Sequence, residues 1–479
     1  MSGRPKLNLE KPKKVYSINV STGFDIPTGV WVKGPYDETI LNGGVNTLTA
    51  VTGPGNSFKS VIIQHLAMKA MDTIATSTMP YCIYYDSENN VSVPRLNSLA
   101  EKYPHLPQPF IDEDEEDEGI VSLTDKSMMA GDQWWKIVTD YTKEIAKSPK
   151  IKYPMFQKNG KVYQHYPPTM SIIDSYSKFE PLVTEEMMDK AKGEDGSTNM
   201  IFMKAGGFKT KALSRITVLA QKYNMYFFTT AHIGVRSTMD ENKYSKPMKK
   251  LSALKENEEL KKVGPEFYYL TKVLWKVVRL KVLKNKDKEP EYASEFGSKS
   301  ETDLNLVTLE ALRNKTGPTG CKIDVAVSQS EGVLEGFSYY LNLKEEGKFS
   351  MEGNDRFHES VFLPGVKMSK NTVRDLVAKN KKLHRALEIG HDILQVKQYH
   401  PFVVKTGLYV EPKELYEGLI AKGYDWDEIL TTENDYTIRM YDDDTPNVLS
   451  VIDLFNMYHG KYTPYWKQEE FLKDRKRGK

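Results

Sequence analysis

Gly53-Pro54-Gly55-Asn56-Ser57-Phe58-Lys59-Ser60 follows an apolar run over residues 47–51 and precedes another over 61–71. The octet fits the pattern G-x-x-x-x-G-K-[ST], except that Phe58 stands where the second glycine is expected. In such a loop the backbone N–H groups at a helix N-terminus surround phosphates. The lysine reaches the β and γ phosphates, and the hydroxyl that follows binds magnesium. The competing reading is an ordinary strand-to-helix turn. Next comes a second apolar run, Tyr81-Cys82-Ile83-Tyr84-Tyr85. The order strand, glycine loop, helix, strand predicts an α/β fold with a mainly parallel, twisted sheet.

Further along, Met170-Ser171-Ile172-Ile173-Asp174 reads as a buried strand, followed by a helix over about 209–223 and a third strand over 225–230. Stretches at 273–283, 304–312 and 321–327 would extend the sheet. Asp174, about 115 residues beyond Lys59, ends its strand where a magnesium site needs a carboxylate. Asp86-Ser87-Glu88 closes the Tyr81 run at the edge where ligands bind in open α/β sheets. Glu88 is the candidate group that orients or deprotonates an attacking water, against the alternative of a solvated loop acid.

The 479 residues exceed a single ordinary domain, and the division expected is an N-terminal arm (1–30), a core (31–349) and a smaller C-terminal domain (350–479). That last domain, α/β or mainly helical, ends in a basic tail. Alternation over residues 15–20 suggests a short strand with no partner in its own domain, suited to contact between subunits. A surface insertion is expected over about 104–168, carrying the acidic run 112–118, an amphipathic stretch at 134–145 and a hairpin signal at Asn159-Gly160. No apolar run approaches the roughly 18 residues that a membrane helix needs, and residues 1–14 are polar and basic, so a cytoplasmic location is expected. Cys82 and Cys321 lack any CxxC spacing, implying neither metal nor disulfide. The net charge of +2 averages over opposed blocks: residues 233–288 carry fifteen Lys and Arg against seven Asp and Glu.

The octet, with Phe in that unusual place, resembles the UvsX-like recombinases of T4-like phages, within the RecA/Rad51 family. Tyr84-Tyr85-Asp86-Ser87-Glu88, Ile172-Ile173-Asp174-Ser175 and Thr230-Ala231-His232 carry the resemblance across about residues 23–345. It implies a RecA-type ATPase core using ATP and Mg2+, with Gly53, Pro54, Gly55, Asn56, Ser57, Phe58, Lys59 and Ser60 around the phosphates. Asp174 and Ser60 would serve the metal, Glu88 would activate water, and His232 would sense the γ-phosphate. A histidine satisfied by neighbouring backbone is the alternative for His232. Arg95 stands where the family has an aromatic residue near adenine, and would stack by cation–π contact. Arg313 and Lys315, in the turn Arg313-Asn314-Lys315-Thr316-Gly317-Pro318-Thr319-Gly320, look like cations inserted into a neighbouring subunit's site. A plain hairpin with solvated cations is the alternative.

Two loops, about 176–208 and 233–272, would contact DNA. Lys204, Phe208 and Lys209 lie in the glycine-containing stretch 203–209, and Arg236, Lys243, Lys246, Lys249 and Lys250 would neutralise phosphates. The function implied is a filament-forming recombinase, in a phage-infected host's cytoplasm, that pairs single-stranded with double-stranded DNA and exchanges strands. A loader and a single-strand-binding protein would assist it. A hexameric RecA-fold helicase and a DNA-independent regulatory ATPase are the alternatives.

Overall fold

The computed structural model describes residues 16–20, 22–75, 78–111, 120–156, 162–190, 197–235, 254–255, 258–297, 299–434 and 447–476. Ten strands build the central sheet. They are β1 (Leu48–Gly53), β2 (Tyr81–Asp86), β3 (Val121–Asp125), β4 (Thr169–Asp174), β5 (Met225–Val235), β6 (Glu258–Leu260), β7 (Val273–Val282), β8 (Leu304–Asn314), β9 (Lys322–Ser328) and β10 (Gly332–Val333). Their spatial order is β10-β9-β8-β7-β1-β5-β4-β2-β3, with β6 attached to β5. From β7 to β3 every neighbour runs parallel, and β8 to β10 continue the sheet antiparallel. The fold is therefore α/β with a large, mainly parallel sheet.

Both faces of the parallel block are covered, which is why β1 and β4 are buried along their whole length. Helix α1 (Lys59–Ala75) lays Ile62, Ile63 and Leu66 against Val51, Tyr84, Ile172 and Phe228 on one face. Helices α2 (Gly131–Ile145) and α3 (Ser197–Tyr223) lay Trp134, Val138, Leu213 and Ile216 against Ala50, Ile83, Ile173 and Phe227 on the other. Ile172 and Ile173 thus serve opposite layers, as do Phe227 and Phe228, following the two-residue period of a strand.

The structure departs from expectation in three places. Within 104–168, β3 pairs in register with β2 from Cys82↔Val121 to Asp86↔Asp125, and Trp134 is 1 % exposed. Much of this stretch is therefore core and sheet edge, because Val121 and Trp134 have apolar surface that only the sheet can cover. Its hairpin, Ile151–Phe156 with Val162–His165, forms as expected, whereas the acidic run and Asn159-Gly160 lie outside the described residues. Secondly, α3 begins at Ser197, so the stretch 203–209 is helix and not loop. Thirdly, Ile18 bridges Val45 through hydrogen bonds of 2.9 and 2.8 Å, and Val20 joins the core beneath α1. Residues 16–20 thus have a partner in their own body.

The C-terminal part combines a three-stranded antiparallel sheet, Met351–Gly353, Phe357–Ser360 and Leu363–Ser369, with several helices around α4 (Lys381–Tyr399). Ile389 and Ile393 of α4 share one apolar cluster with Ile26, Leu41 and Leu454. The Thr39 N–H donates to Asp453 Oδ1 at 2.8 Å, joining the two ends of the chain. Cys82 and Cys321 are buried and unpaired. Among the described residues no helix is long and apolar enough to cross a membrane.

Candidate active site

The parallel strands β1, β2, β4 and β5 end at one edge of the sheet, and their register decides which residues meet there. Gly53 at the end of β1 sits beside His232 of β5, and Asp86 of β2 sits beside Asp174 of β4. The loop after Gly53 turns through left-handed conformations at Asn56 (φ 51°) and Phe58 (φ 61°). A glycine is expected at the second of these because a side chain in that region costs about 1–2 kcal/mol. Phe58 adopts it while its ring packs on the core beside α1. A Cβ at Gly53 would lie 2.9 Å from Ser57 Oγ and 3.1 Å from Val277 Cβ, so a larger residue there would displace the Ser57 hydroxyl and press on Val277.

Lys59, the first residue of α1, is 6 % exposed. Its ammonium folds back over the loop to donate to the Pro54 carbonyl at 2.5 Å, with Ser57 Oγ at 3.5 Å. Burial lowers its pKa, opposed by the carboxylates of Asp174 and Glu88. Asp174 is 7 % exposed, and both its oxygens are held. Thr230 donates to Oδ1 at 2.5 Å and the Tyr84 hydroxyl to Oδ2 at 3.4 Å, while Gln64 Nε2 donates to the Tyr84 oxygen at 3.0 Å. Burial drives the Asp174 pKa up, more than hydrogen bonds from Thr230 and Ser60 bring it down, and negative charge on Glu88 and Asp86 adds to the rise. A buried carboxylate beside a hydroxyl fits a hard cation that completes its shell with water and phosphate oxygens. Among the described residues no group of three or more His, Cys, Asp or Glu could hold a metal by itself.

Asp86 shapes the loop that carries Glu88, because its carboxylate accepts from the N–H groups of Glu88 (3.0 Å), Asn90 (2.7 Å) and Val91 (2.7 Å). Ser87 and Ser175 lock that loop to the end of β4 through bonds of 2.7 and 2.8 Å. Glu88 Oε1 then accepts from Ser175 Oγ at 2.8 Å and lies 2.7 Å from His232 Nε2. An ionised carboxylate only accepts, so Nε2 carries the proton of that bond. Burial raises the Glu88 pKa, but the hydrogen bonds from His232 and Ser175, with the charges of His232 and Lys178, outweigh it and leave the carboxyl below its ordinary value. Lys59, Ser60, Asp174, Glu88 and His232 therefore meet at one edge.

Thr230, Tyr84 and Gln64 were missed by sequence reasoning, although spacing hinted at two of them. Tyr84 stands two residues before Asp86 on the same face of β2, and Gln64 stands one turn after Ser60 on α1.

Of the other expected site residues, Arg313 and Lys315 lie at the far end of the sheet. Arg95 is exposed on the helix Val93–Ala100. Arg313 donates to the carbonyls of Thr271 (3.0 Å) and Tyr269 (3.2 Å), and Lys315 is exposed. Asn314 pairs with Val273, and Val273 with Thr49, so this turn sits at the opposite end of the sheet from Gly53. The separation along the strand is roughly 13 Å for four residues.

Of the expected DNA contacts, Lys204 is exposed on α3. Of the other two in that stretch, Phe208 is half-buried and Lys209 is buried. The Phe208 ring packs 5.1 Å from that of Phe179, and Lys209 is 3 % exposed with its ammonium on the carbonyls of Ser177 (3.0 Å) and Lys262 (2.9 Å). Helical geometry turns both inward against the segment that follows β4. Burial lowers the Lys209 pKa to about 8, with Glu180 opposing and Lys262 and Lys178 adding to the fall. Arg236, Lys243, Lys246, Lys249 and Lys250 lie outside the described residues. No protein-family model matches the chain, and no curated protein sequence matches it.

Proposed function

We propose that this chain is an ATP-hydrolysing DNA recombinase with a RecA-type core, which assembles on single-stranded DNA and exchanges strands with a matching duplex. The observation that carries the reading is the meeting of Lys59, Ser60, Asp174 and the Glu88–His232 pair at the ends of adjacent parallel strands. The N–H groups of the 53–60 loop and the first turn of α1 bind the β and γ phosphates, and Lys59 exchanges its bond to Pro54 for a phosphate oxygen. Ser60 and Asp174 hold magnesium, which when bound neutralises charge on the phosphates. Glu88 stays ionised at neutral pH and orients the attacking water, accepting its proton. The Nε2 proton of His232 then has two competing acceptors, Glu88 and a γ-phosphate oxygen, so the pair reads nucleotide state.

Arg313 and Lys315 lie too far from their own phosphate loop to act on it, so in this reading they serve a neighbour's site. Such a contact joins two different surfaces, and head-to-tail contacts propagate into rings or helical filaments. The cations of 236–250 neutralise DNA phosphates. The test is ATP hydrolysis with and without single-stranded DNA, beside Lys59→Ala, with the assemblies imaged by negative stain. Extended filaments and DNA-stimulated, Lys59-dependent turnover are expected. Closed rings would indicate the hexameric helicase instead, and turnover indifferent to DNA would eliminate both.

A further inference from the structure

Lys209 is a buried cation for which the chemistry above has no use. Taking an ammonium out of water is costly, and a methionine or leucine would fill the same space at less desolvation cost. The Lys209 carbonyl is itself held, accepting from the Tyr176 hydroxyl at 2.6 Å, so the side chain leaves α3 from a clamped position. Its two acceptors are informative. Ser177 belongs to the segment leaving β4, and Lys262 follows β6, the short strand that pairs with the end of β5.

Both segments bond directly to His232. The His232 N–H donates to Ser177 Oγ at 3.1 Å, Ser177 Oγ donates to the Lys261 carbonyl at 3.0 Å, and the Lys261 N–H donates to the His232 carbonyl at 2.8 Å. These three bonds close a ring around the residue that contacts Glu88, and Lys209 spans the ring from outside by holding Ser177 and Lys262 together. Removing its charge would leave the Ser177 and Lys262 carbonyls without this donor, so that the link between the two segments would rest on the Ser177–Lys261 bond and the bonds to His232.

We propose that Lys209 is a positioning residue that transmits the state of the Glu88–His232 pair to residues 258–262 by keeping them and residues 176–178 one unit. The inference rests on the nucleotide-binding reading above. It does not require DNA, because the readout sits on the ring itself.

The experiment is amide hydrogen exchange at residues 176–178 and 258–262, with and without ATP and Mg2+, in the wild-type protein, Lys209→Met and Lys209→Arg. Binding of a fluorescent ATP analogue is measured on the same preparations to establish that each is folded at its phosphate loop. In the wild type, ATP should slow exchange at 258–262 by about fivefold or more, the effect of one gained hydrogen bond. Lys209→Met should bind nucleotide normally yet lose that response, and Lys209→Arg, which keeps the charge and the donors, should restore it. A wild-type response in Lys209→Met overturns the proposal, and so does a loss in Lys209→Arg equal to that in Lys209→Met while both bind nucleotide. Absence of ATP binding by the wild type would remove the nucleotide site and this inference together. Nucleotide-dependent exchange without any DNA-stimulated turnover would remove the recombinase reading alone and leave Lys209 its role.

Discussion

At Glu88 one carboxylate oxygen receives both a serine hydroxyl and a histidine N–H, so two donors hold the group in place and keep it ionised. Under the proposed hydrolysis, Glu88→Gln keeps the shape but lacks the basic site. It should lower kcat about 10²–10⁴-fold with nucleotide affinity little changed, as steady-state kinetics and analogue binding would report. Tyr84 acts one step further out. Tyr84→Phe removes the donor on Asp174 Oδ2 without touching Oδ1, so magnesium half-saturation should rise about tenfold while kcat at saturating metal is kept. A kcat that falls without any change in magnesium dependence would sink that assignment. Asp174 and Glu88 were legible because each closes or follows an apolar run. Tyr84 and Gln64 were not, since a tyrosine in a strand and a glutamine in a helix acquire this role only when β2, β4 and α1 come together.

Among the elements, α3 is where expectation and structure differ most. Gly206 and Gly207 suggested a flexible loop, but they stand within the helix, and a Cβ on either would meet nothing within 4 Å. Gly207→Ala should therefore stabilise the fold by about 1 kcal/mol, read from the midpoint of denaturant unfolding at constant slope. A destabilised variant would show that the helix is interrupted there. The same geometry explains why Phe208 and Lys209 turn inward. Once 203–209 is helical, Leu213 and Ile216 fix which side faces the sheet, and the residues on that side become core or clamp. By contrast β1, β2, β4 and β5 were legible, because strands buried on both faces of a parallel sheet are continuous apolar runs. β3 escaped notice as a strand of only five residues within a polar region.

Over the whole molecule, the C-terminal part closes onto the N-terminal hairpin Val30–Lys33 with Thr39–Asn42 through the buried acids Glu38 and Asp453. Burial pushes Glu38 to about 7 and Asp453 to about 7; hydrogen bonds oppose this, and Asp453 and Asp37 add to the rise at Glu38. Between the ordinary carboxylate range and about pH 7 the folded state thus binds more protons than the unfolded one, so stability falls as pH rises through that window. The melting temperature should be higher near pH 5.5 than near pH 8, by about 1 °C for each kcal/mol, since roughly 2.1 cal/mol/K per residue over 479 residues is about 1 kcal/mol/K. Glu38→Gln should flatten the dependence, because the amide keeps an acceptor for the Tyr36 N–H but does not titrate.

From the sequence alone came the α/β class, the parallel strands and the loop and carboxylates at their ends. Those features are written in local patterns: apolar runs, glycine spacing, an acid where a run stops. Only the tertiary structure decided that Gly53 meets His232, that Glu88 and His232 share a hydrogen bond, and that Lys209 is buried while Lys204 is exposed. It also decided that Arg313 and Lys315 lie at the far end of the sheet from the loop 53–60. These are questions of register and of which side an element buries. Both are settled by packing between segments as far apart in the chain as Glu88 and His232, whose 144-residue separation no local pattern spans.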